Sequence, residues 1–553
     1  MSSERKLVYG IDLGTTYSAV AYVDEYGKAQ VITNSDNERI TPSVVYFESE
    51  NNVVVGQRAK GNKNVRPDRV VDFVKRQMSN ATWTFDVDGR TETPITISAE
   101  ILRRLAADAS RSGEHNVKDV VITCPAYFGD FERNRTRQAG EIAGLNVIAI
   151  ISEPVAAAIN YGLTADTKGQ NIIVYDLGGG TFDVTVVRIG EDPDKTEIVV
   201  ACTQGDHQLG GYNWDEKIIN YCQEQCNELT GCKVEDLEEL GKLQVDAEEK
   251  KKALTQTNSV SFGIYTDGGK AKFDLTREQF DALTSDLLEQ TITLTDKVLD
   301  EAKKMGVEKI DKYLLVGGST RMPQVREKLI AKYGLTYNNP PLPSDTLVEF
   351  DVDEAVAKGA SRKGEITVTQ DIVEQIQKES GEQGSTPSRG VLEQTAIVTG
   401  KTIEQVEREV SMYTRDVASK SYGIRARING VLCVSNLIKK QTPVPFEFTG
   451  NYCTMGDWDS MPLPIYSNDT SDDEAPLGDS TLLIEKEFPL QNMLPEGTPV
   501  DVTFKLDEQG KLTIVGKDKL HGQVHQFDFV PEGALSKEEI QKAAKEIALH
   551  KVS

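Results

Sequence analysis

Histidine, cysteine, positive charge and long apolar runs are all scarce in this chain. Five histidines and seven cysteines stand among 553 residues. So few cysteines do not make a disulfide scaffold in so long a chain, and a reducing, cytoplasmic location is expected. No apolar run reaches the length of a membrane-spanning helix, so no membrane span is expected. Met1-Ser-Ser-Glu-Arg-Lys6 lacks the apolar stretch of a secretory signal. Lysine and arginine total 62 against 87 acidic residues, a formal charge of −25. That balance argues against nucleic acid as a partner and favours solubility. What remains is 38% apolar and 27% charged, as in soluble globular proteins. The length implies two or three domains.

Two sparse clusters deserve a metal test. Cys222 and Cys226 share a helix face with Cys232 just beyond, but no fourth ligand stands nearby, so they read as ordinary thiols. His521 and His525 have helical zinc-ligand spacing, yet Gly522 and the alternation around them read as strand.

From Leu7 to about Lys363, apolar strand-like runs such as Val120-Val-Ile-Thr, Ile172-Ile-Val-Tyr and Tyr313-Leu-Leu-Val alternate with helix-like stretches at 98–112, 154–161 and 277–304. This alternation reads as α/β. From Gly364 to about Met412 the composition shifts to Gln, Glu, Ser, Thr and Gly, with the linker-like Ser380-Gly-Glu-Gln-Gly-Ser-Thr-Pro-Ser388 and a short helix at 401–411. After Tyr422 the texture is all-β: Val500, Val502, Phe504 and Leu506 alternate with polar residues, and Asp507-Glu-Gln-Gly510 turns into a second strand. Ser536 with Glu539 makes a capping box, and Leu535 with Ile540 a staple, for a last helix. The expected division is 1–363, α/β; 364–415, an extended linker or insert; 416–534, all-β; and 535–553, a short terminal helix.

The chemistry-bearing signal is a repeat. Gly10-Ile-Asp12-Leu-Gly14-Thr15-Thr16 recurs as Val174-Tyr-Asp176-Leu-Gly178-Gly179-Gly180-Thr181. Each copy ends an apolar strand and begins an alternating one. Glycine lets backbone N–H groups approach a phosphate, threonine hydroxyls add donors, and the aspartate can hold Mg²⁺ through water. Two such turns facing one another would grip a triphosphate; the alternative is two ordinary glycine-rich hairpins. Gly317-Gly318-Ser319-Thr320-Arg321 follows a buried strand and precedes a helix near Pro323, and reads either as a ligand turn or as a plain strand–helix turn. Glu248, Lys251, Lys252 and Thr255 share one helix face, either a ribose and base contact or a solvated salt-bridged stripe. Gly400-Lys401-Thr402 lacks both the leading glycine and the strand of a phosphate-binding P-loop.

Together with Pro125-Ala-Tyr-Phe128 and Ile151-Ser-Glu-Pro-Val-Ala-Ala-Ala-Ile-Asn-Tyr-Gly162, these motifs resemble the seventy-kilodalton heat-shock chaperone family, DnaK-like in bacteria. The resemblance covers most of 7–363 and, more weakly, 416–548. It implies an actin-like, two-lobed ATPase domain followed by a β-sandwich that takes unfolded or extended polypeptides, with ATP/ADP, Mg²⁺ and K⁺ as cofactors. It also implies Asp12 and Asp176 around Mg²⁺, and Tyr17 and Asp183 near potassium. Gly14, Thr15, Thr16, Gly178, Gly179, Gly180 and Thr181 fall on the phosphates. Lys75, Glu153, Asp176 and Thr181 are the implied catalytic set, with Glu153 and Asp176 orienting the water. Adenosine falls between Glu248, Lys251, Lys252 and Thr255 on one side and Gly317, Gly318, Ser319 and Arg321 on the other, with Asp353 in the cleft. Pro125 and Arg133 match positions that relay nucleotide state. A J-domain co-chaperone and a nucleotide exchange factor are the implied protein partners.

Several positions depart from the family's pattern. Lys252 replaces the usual adenine-stacking arginine, which predicts weaker nucleotide binding. His207-Gln-Leu-Gly-Gly-Tyr212-Asn213 rearranges a usual His-Leu-Gly-Gly-Glu-Asp segment. The leucines expected before Asp416 are replaced by Met412-Tyr-Thr-Arg415, which predicts weak coupling between nucleotide and peptide. The helix from Ser536 stops where a helical lid would continue, implying a lidless sandwich. The leading expectation is an ATP-hydrolysing chaperone. The alternative is an ATP-binding regulatory scaffold or co-chaperone with little peptide-coupled hydrolysis. A sugar kinase of the actin-like superfamily leaves the C-terminal β half unexplained.

Overall fold

A computed structural model describes residues 7–111, 113–164, 167–192, 195–382, 386–507, 510–529 and 535–553. Met1–Lys6, the centre of the 380–388 stretch, the tip of the 507–510 turn and the expected boundary at 534 lie outside these residues.

Two six-stranded sheets organise the residues before Asp416, and five strands of each follow the same order. The first runs Asn146–Ser152, Asp119–Cys124, Tyr9–Asp12, Tyr17–Val23, Ala29–Ile32, with Thr41–Pro42 also on Tyr17–Val23. The second runs Leu347–Glu349, Lys312–Val316, Asn171–Leu177, Phe182–Ile189, Thr196–Asp206, Met412–Arg415. In each, the strand before the repeated turn pairs parallel with one neighbour and antiparallel with the strand after the turn. The sequence repeat is therefore a structural repeat.

Period-two alternation lets each sheet feed two cores. Ile173, Tyr175 and Leu177 face the helices of the second lobe, while Ile172 and Val174 face inward. Likewise Val120 and Ile122 serve the first lobe, and Val121 joins Val8 and Ile172 in the shared layer. Helices Glu153–Thr164 and Ala355–Ser380 pack together in that layer. Their approach is close enough that a Cβ on Gly359 would stand 1.7 Å from the carbonyl oxygen of Ala156.

The expected 364–415 linker is replaced by helix. Ala355–Ser380 runs as one helix of 26 residues through the expected boundary at 363. Arg389–Thr399 and Ile403–Val410 fold back on it around Val373, Ile376, Val391, Ala396 and Val406. The polar composition of 364–380 misled because only one face of this helix is wetted, while the others pack on the sheets and on these two helices. Gly400 ends one helix in the left-handed region and Thr402 caps the next. Met412–Arg415 then joins the second sheet as a parallel edge strand, Met412 opposite Thr196 and Arg415 opposite Val199.

Residues 417–529 build two stacked antiparallel sheets. One runs Glu474–Pro476, Val431–Ile438, Ser421–Ile428, Trp458–Asn468, Thr481–Leu494; the other runs Phe446–Cys453, Pro499–Leu506, Leu512–Asp518, Val524–Asp528. Ile424, Ile438 and Ile465 meet Val502, Phe504, Leu512 and Ile514 between them. Lys537–Ala548 is capped by Ser536 and Glu539, but this C-terminal segment is more than a helix. Ile547 is buried in the first lobe's core, and Lys551–Val552 adds a parallel strand to Asn52–Val55.

The β-domain sits against the first lobe. Arg133 donates from Nη2 to Asp416 Oδ2 at 3.0 Å and from Nε to the Phe128 carbonyl at 3.0 Å. Asp130, Tyr422, Leu506 and Gly510 line the same joint. Burial there pushes the Asp130 carboxyl up to about 8. A raised carboxyl pKa favours the docked state below the ordinary carboxylate range and loses that contribution as pH rises through about 8. Docking, read by fluorescence energy transfer between labels on the two domains, should therefore weaken between pH 7 and 9. An Asp130→Asn variant should show a flat profile.

Candidate active site

Both repeated turns open onto one cleft of about 410 Å³ between the lobes. They nearly touch: a Cβ on Gly179 would stand 2.2 Å from Thr16 Oγ1, and one on Gly180 would stand 2.2 Å from Thr15 Cγ2. Only glycine permits that approach. Ser43 Oγ braces the first turn by donating to the Gly14 carbonyl at 2.8 Å. On the second turn, Gly178 N–H closes onto the Thr181 carbonyl at 3.1 Å, and Ser319 Oγ donates to the Gly178 carbonyl at 2.9 Å.

The cleft floor carries Asp12, Lys75, Glu153 and Asp176. Lys75 comes from the 3₁₀ turn Val74–Gln77 and Glu153 from the first turn of its helix; their side chains form a buried ion pair. Thr123 Oγ1 donates to Asp12 Oδ1 at 3.2 Å. Asp12 reaches the cleft surface with protein packed around its other sides. That desolvation, reinforced by Glu153, pushes its carboxyl up to about 7. Burial and the same neighbours raise Asp176 as well. Burial alone would push the Lys75 ammonium down, but Glu153 and Asp12 hold it above its usual value. The floor thus gathers more carboxylates than its lysine neutralises. Hard oxygen donors with excess negative charge fit Mg²⁺, with Asp12 and Asp176 as the residues to hold it.

At the far end, the Leu237–Ala253 helix presents its charged stripe. Glu248 pairs with Lys60 of the first lobe and lies 2.7 Å from Lys252. Burial opposes its ionisation, but those lysines hold its carboxyl down at about 2. Lys252 Nζ donates to Tyr17 Oη at 2.9 Å and lies 4.9 Å from the Tyr17 ring centre. Lys251 is buried against Asp215, 2.8 Å away, and the Gly211 carbonyl. Thr255 follows the helix end and donates to the Lys252 carbonyl at 2.7 Å. Across the cleft stand Gly317, Gly318 and Ser319, with Arg321 paired to Asp353 at 2.6 Å.

Residues 8–379 match the family described as Hsp70 protein. Over 98% of its length the chain is 32% identical to chaperone protein DnaK of Thermotoga neapolitana, covering 83% of that protein. The same figures hold for chaperone protein DnaK of Thermotoga petrophila and of Thermotoga maritima. The chain belongs to the Hsp70 family. It is an ATP-dependent molecular chaperone, and its enzymatic activity is that of an ATPase.

Most of the residues expected at an Hsp70 nucleotide site line this one cleft, with two exceptions. Gly180 turns its carbonyl away, towards Arg76. Asp183, expected beside a potassium ion, does not itself line the cleft but is the cross-strand partner of Asp176 on the same face of the sheet, where the charges of Glu153, Asp176 and Lys75 act on it; it is buried, and its Oδ1 has no hydrogen-bond partner among the described residues. The Tyr17 side chain points instead to Glu248 and Lys60. Phe73, Tyr212 and Asp215 line the cleft unforeseen. Their signal was present: Phe73 belongs to the Lys75 segment, and Tyr212 to the rearranged glycine segment.

Lys75→Ala should leave ATP binding nearly intact, because both turns remain. Single-turnover hydrolysis should fall by roughly 10²–10³, as for loss of one charge-stabilising donor. Quench-flow with labelled ATP measures both.

Proposed function

We propose that this Hsp70 binds ATP with Mg²⁺ in the cleft of an actin-like ATPase domain and uses hydrolysis to regulate how its C-terminal β-sandwich holds extended, unfolded polypeptide segments. The phosphates lie between the Gly14–Thr16 and Gly178–Thr181 turns, and adenosine between Glu248, Lys252 and Thr255 and the Gly317–Arg321 turn. Glu153 and Asp176 orient a water for in-line attack on the γ-phosphate. Lys75 and Thr181 donate to the charge that develops there. Mg²⁺, when held by Asp12 and Asp176, neutralises phosphate charge. Potassium would be held by Asp183, the cross-strand partner of Asp176. A J-domain co-chaperone and a nucleotide exchange factor are the partners that would stimulate and reset the cycle. All seven cysteines are free thiols, which supports a reducing, cytoplasmic setting; among the described residues, no helix is long and apolar enough to cross a membrane.

The observation that carries this reading is the strand Met412–Arg415. It lies on the sheet that bears Asp176 and leads directly to Asp416, the partner of Arg133 at the domain joint. The loss of leucines predicted a weak link. The strand docks through its backbone ladder instead, with Met412 buried and Lys363 Nζ donating to Thr414 Oγ1 at 3.0 Å. This favours a coupled chaperone over the scaffold reading. ATP should accordingly change peptide affinity by at least about fivefold, within the usual range of coupling between sites. Met412→Asp, which forces a charge into that buried position, should bring the ratio of affinities in ATP and ADP close to one. Fluorescence anisotropy of a labelled apolar peptide reads the ratio; a value near one in the unsubstituted protein would support the scaffold.

A further inference from the structure

Arg76 follows Lys75 in the first lobe, yet its guanidinium crosses to the second. Its Nε donates to the Gly180 carbonyl at 2.8 Å, and its Nη2 donates to the same oxygen and to Asn213 Oδ1, the latter at 3.3 Å. Asn213 is itself anchored, accepting from Gly210 N–H at 2.9 Å. Two rings in contact with each other lie beside the guanidinium. It lies 5.6 Å from the centre of Phe73 and 5.4 Å from that of Tyr212, and the rings are 4.6 Å apart. Phe73 and Arg76 come from one lobe; Tyr212, Asn213 and Gly180 come from the other. Phe73 adopts a φ of 52°, in the left-handed region where a bulky side chain is uncommon. Such a conformation persists only when its surroundings hold it.

The grip on Gly180 has a consequence inside the cleft. A peptide unit is planar and trans, so the Thr181 N–H points opposite to the Gly180 carbonyl, away from Arg76. Thr181 lines the cleft and Gly180 does not. Fixing the carbonyl outside therefore fixes the phosphate-facing peptide inside. The partners of the guanidinium are a carbonyl, an amide and two rings, where the family's usual segment carries Glu-Asp in place of Tyr212-Asn213.

We propose that Arg76, packed beside the Phe73–Tyr212 ring pair, is a positioning residue for ATP hydrolysis that locks the Gly178–Thr181 turn in its phosphate-binding shape and holds the lobes closed over nucleotide. The inference rests on the cleft being the ATPase site. Arginine is required because a lysine cannot offer two donors in a fixed plane or lay a planar cation against the rings.

The test uses the full chain with Arg76→Ala, Arg76→Lys, Tyr212→Ala and Tyr212→Phe. Three quantities are measured: equilibrium ATP affinity, single-turnover hydrolysis, and release of labelled ADP. Arg76→Ala and Arg76→Lys should each slow hydrolysis by roughly 10²-fold, the size expected when reacting groups are misplaced by about an ångström. ATP affinity should change far less, and ADP release should speed up. Tyr212→Ala should shift the same two rates, and Tyr212→Phe should recover most of that loss. If Arg76→Ala lacks a native thermal transition, Arg76→Lys, which keeps the charge, carries the test. Wild-type hydrolysis and release rates in Arg76→Lys would overturn the proposal, as would affinity and hydrolysis falling by the same factor. Absence of hydrolysis in the unsubstituted protein would instead overturn the ATPase reading beneath it.

Discussion

The close approach of two glycine-rich turns, one from each lobe, is the constraint on which the site depends. Thr15 and Thr16 occupy the space that side chains at Gly180 and Gly179 would need. Neither turn makes the cleft alone. The same economy of space recurs below: a Cβ on Gly10 would stand 2.1 Å from the Ser361 backbone nitrogen, and one on Gly359 would stand closer still to the Ala156 carbonyl. Backbone-to-backbone contact of this kind resists sliding, because packed interiors switch between discrete arrangements more readily than they deform. The floor of Asp12, Glu153 and Asp176 around Lys75 adds an electrostatic demand: burial raises the aspartates, and a bound cation would relieve them.

Nucleotide and β-domain are joined by covalent continuity and by a shared sheet. Asn171–Leu177 ends at the phosphate turn, and Met412–Arg415 closes the edge of the sheet in which it lies. The next residue, Asp416, pairs with Arg133 on a helix of the first lobe. A change of lobe angle therefore bears on both ends of this short stretch. At that joint, losing one partner of a buried ion pair costs far more than losing a surface pair.

Much of the nucleotide lobe was legible because its signals are local. The repeated Asp-Leu-Gly turns, the strands around Val120, Ile172 and Tyr313, and the Glu248–Lys252 stripe all follow from short-range patterns. The capping box at Ser536 and the alternation at Val500–Leu506 were legible for the same reason. The failures are tertiary. The helix was cut short at Gly364, a poor helix former chosen for contact with Val8, and the polar residues after it read as a linker. Met412–Arg415 and Lys551–Val552 are strands only because partners far away in sequence offer an edge. Asp183 matches a motif, yet it is buried beneath the cleft lining, a depth that no local pattern states. Arg76 was hidden beside a more conspicuous lysine.

The central claim is that the edge strand Met412–Arg415 answers to the nucleotide. Hydrogen–deuterium exchange of the amides from Met412 to Ala418, followed in a Lys75→Ala background so that ATP persists, tests it most directly. The prediction is strong protection in ATP and rapid exchange in ADP, with the central strand Asn171–Leu177 protected in both. Equal protection of 412–418 in the two nucleotides would contradict it, because the sheet edge would then be a fixed part of the ATPase domain.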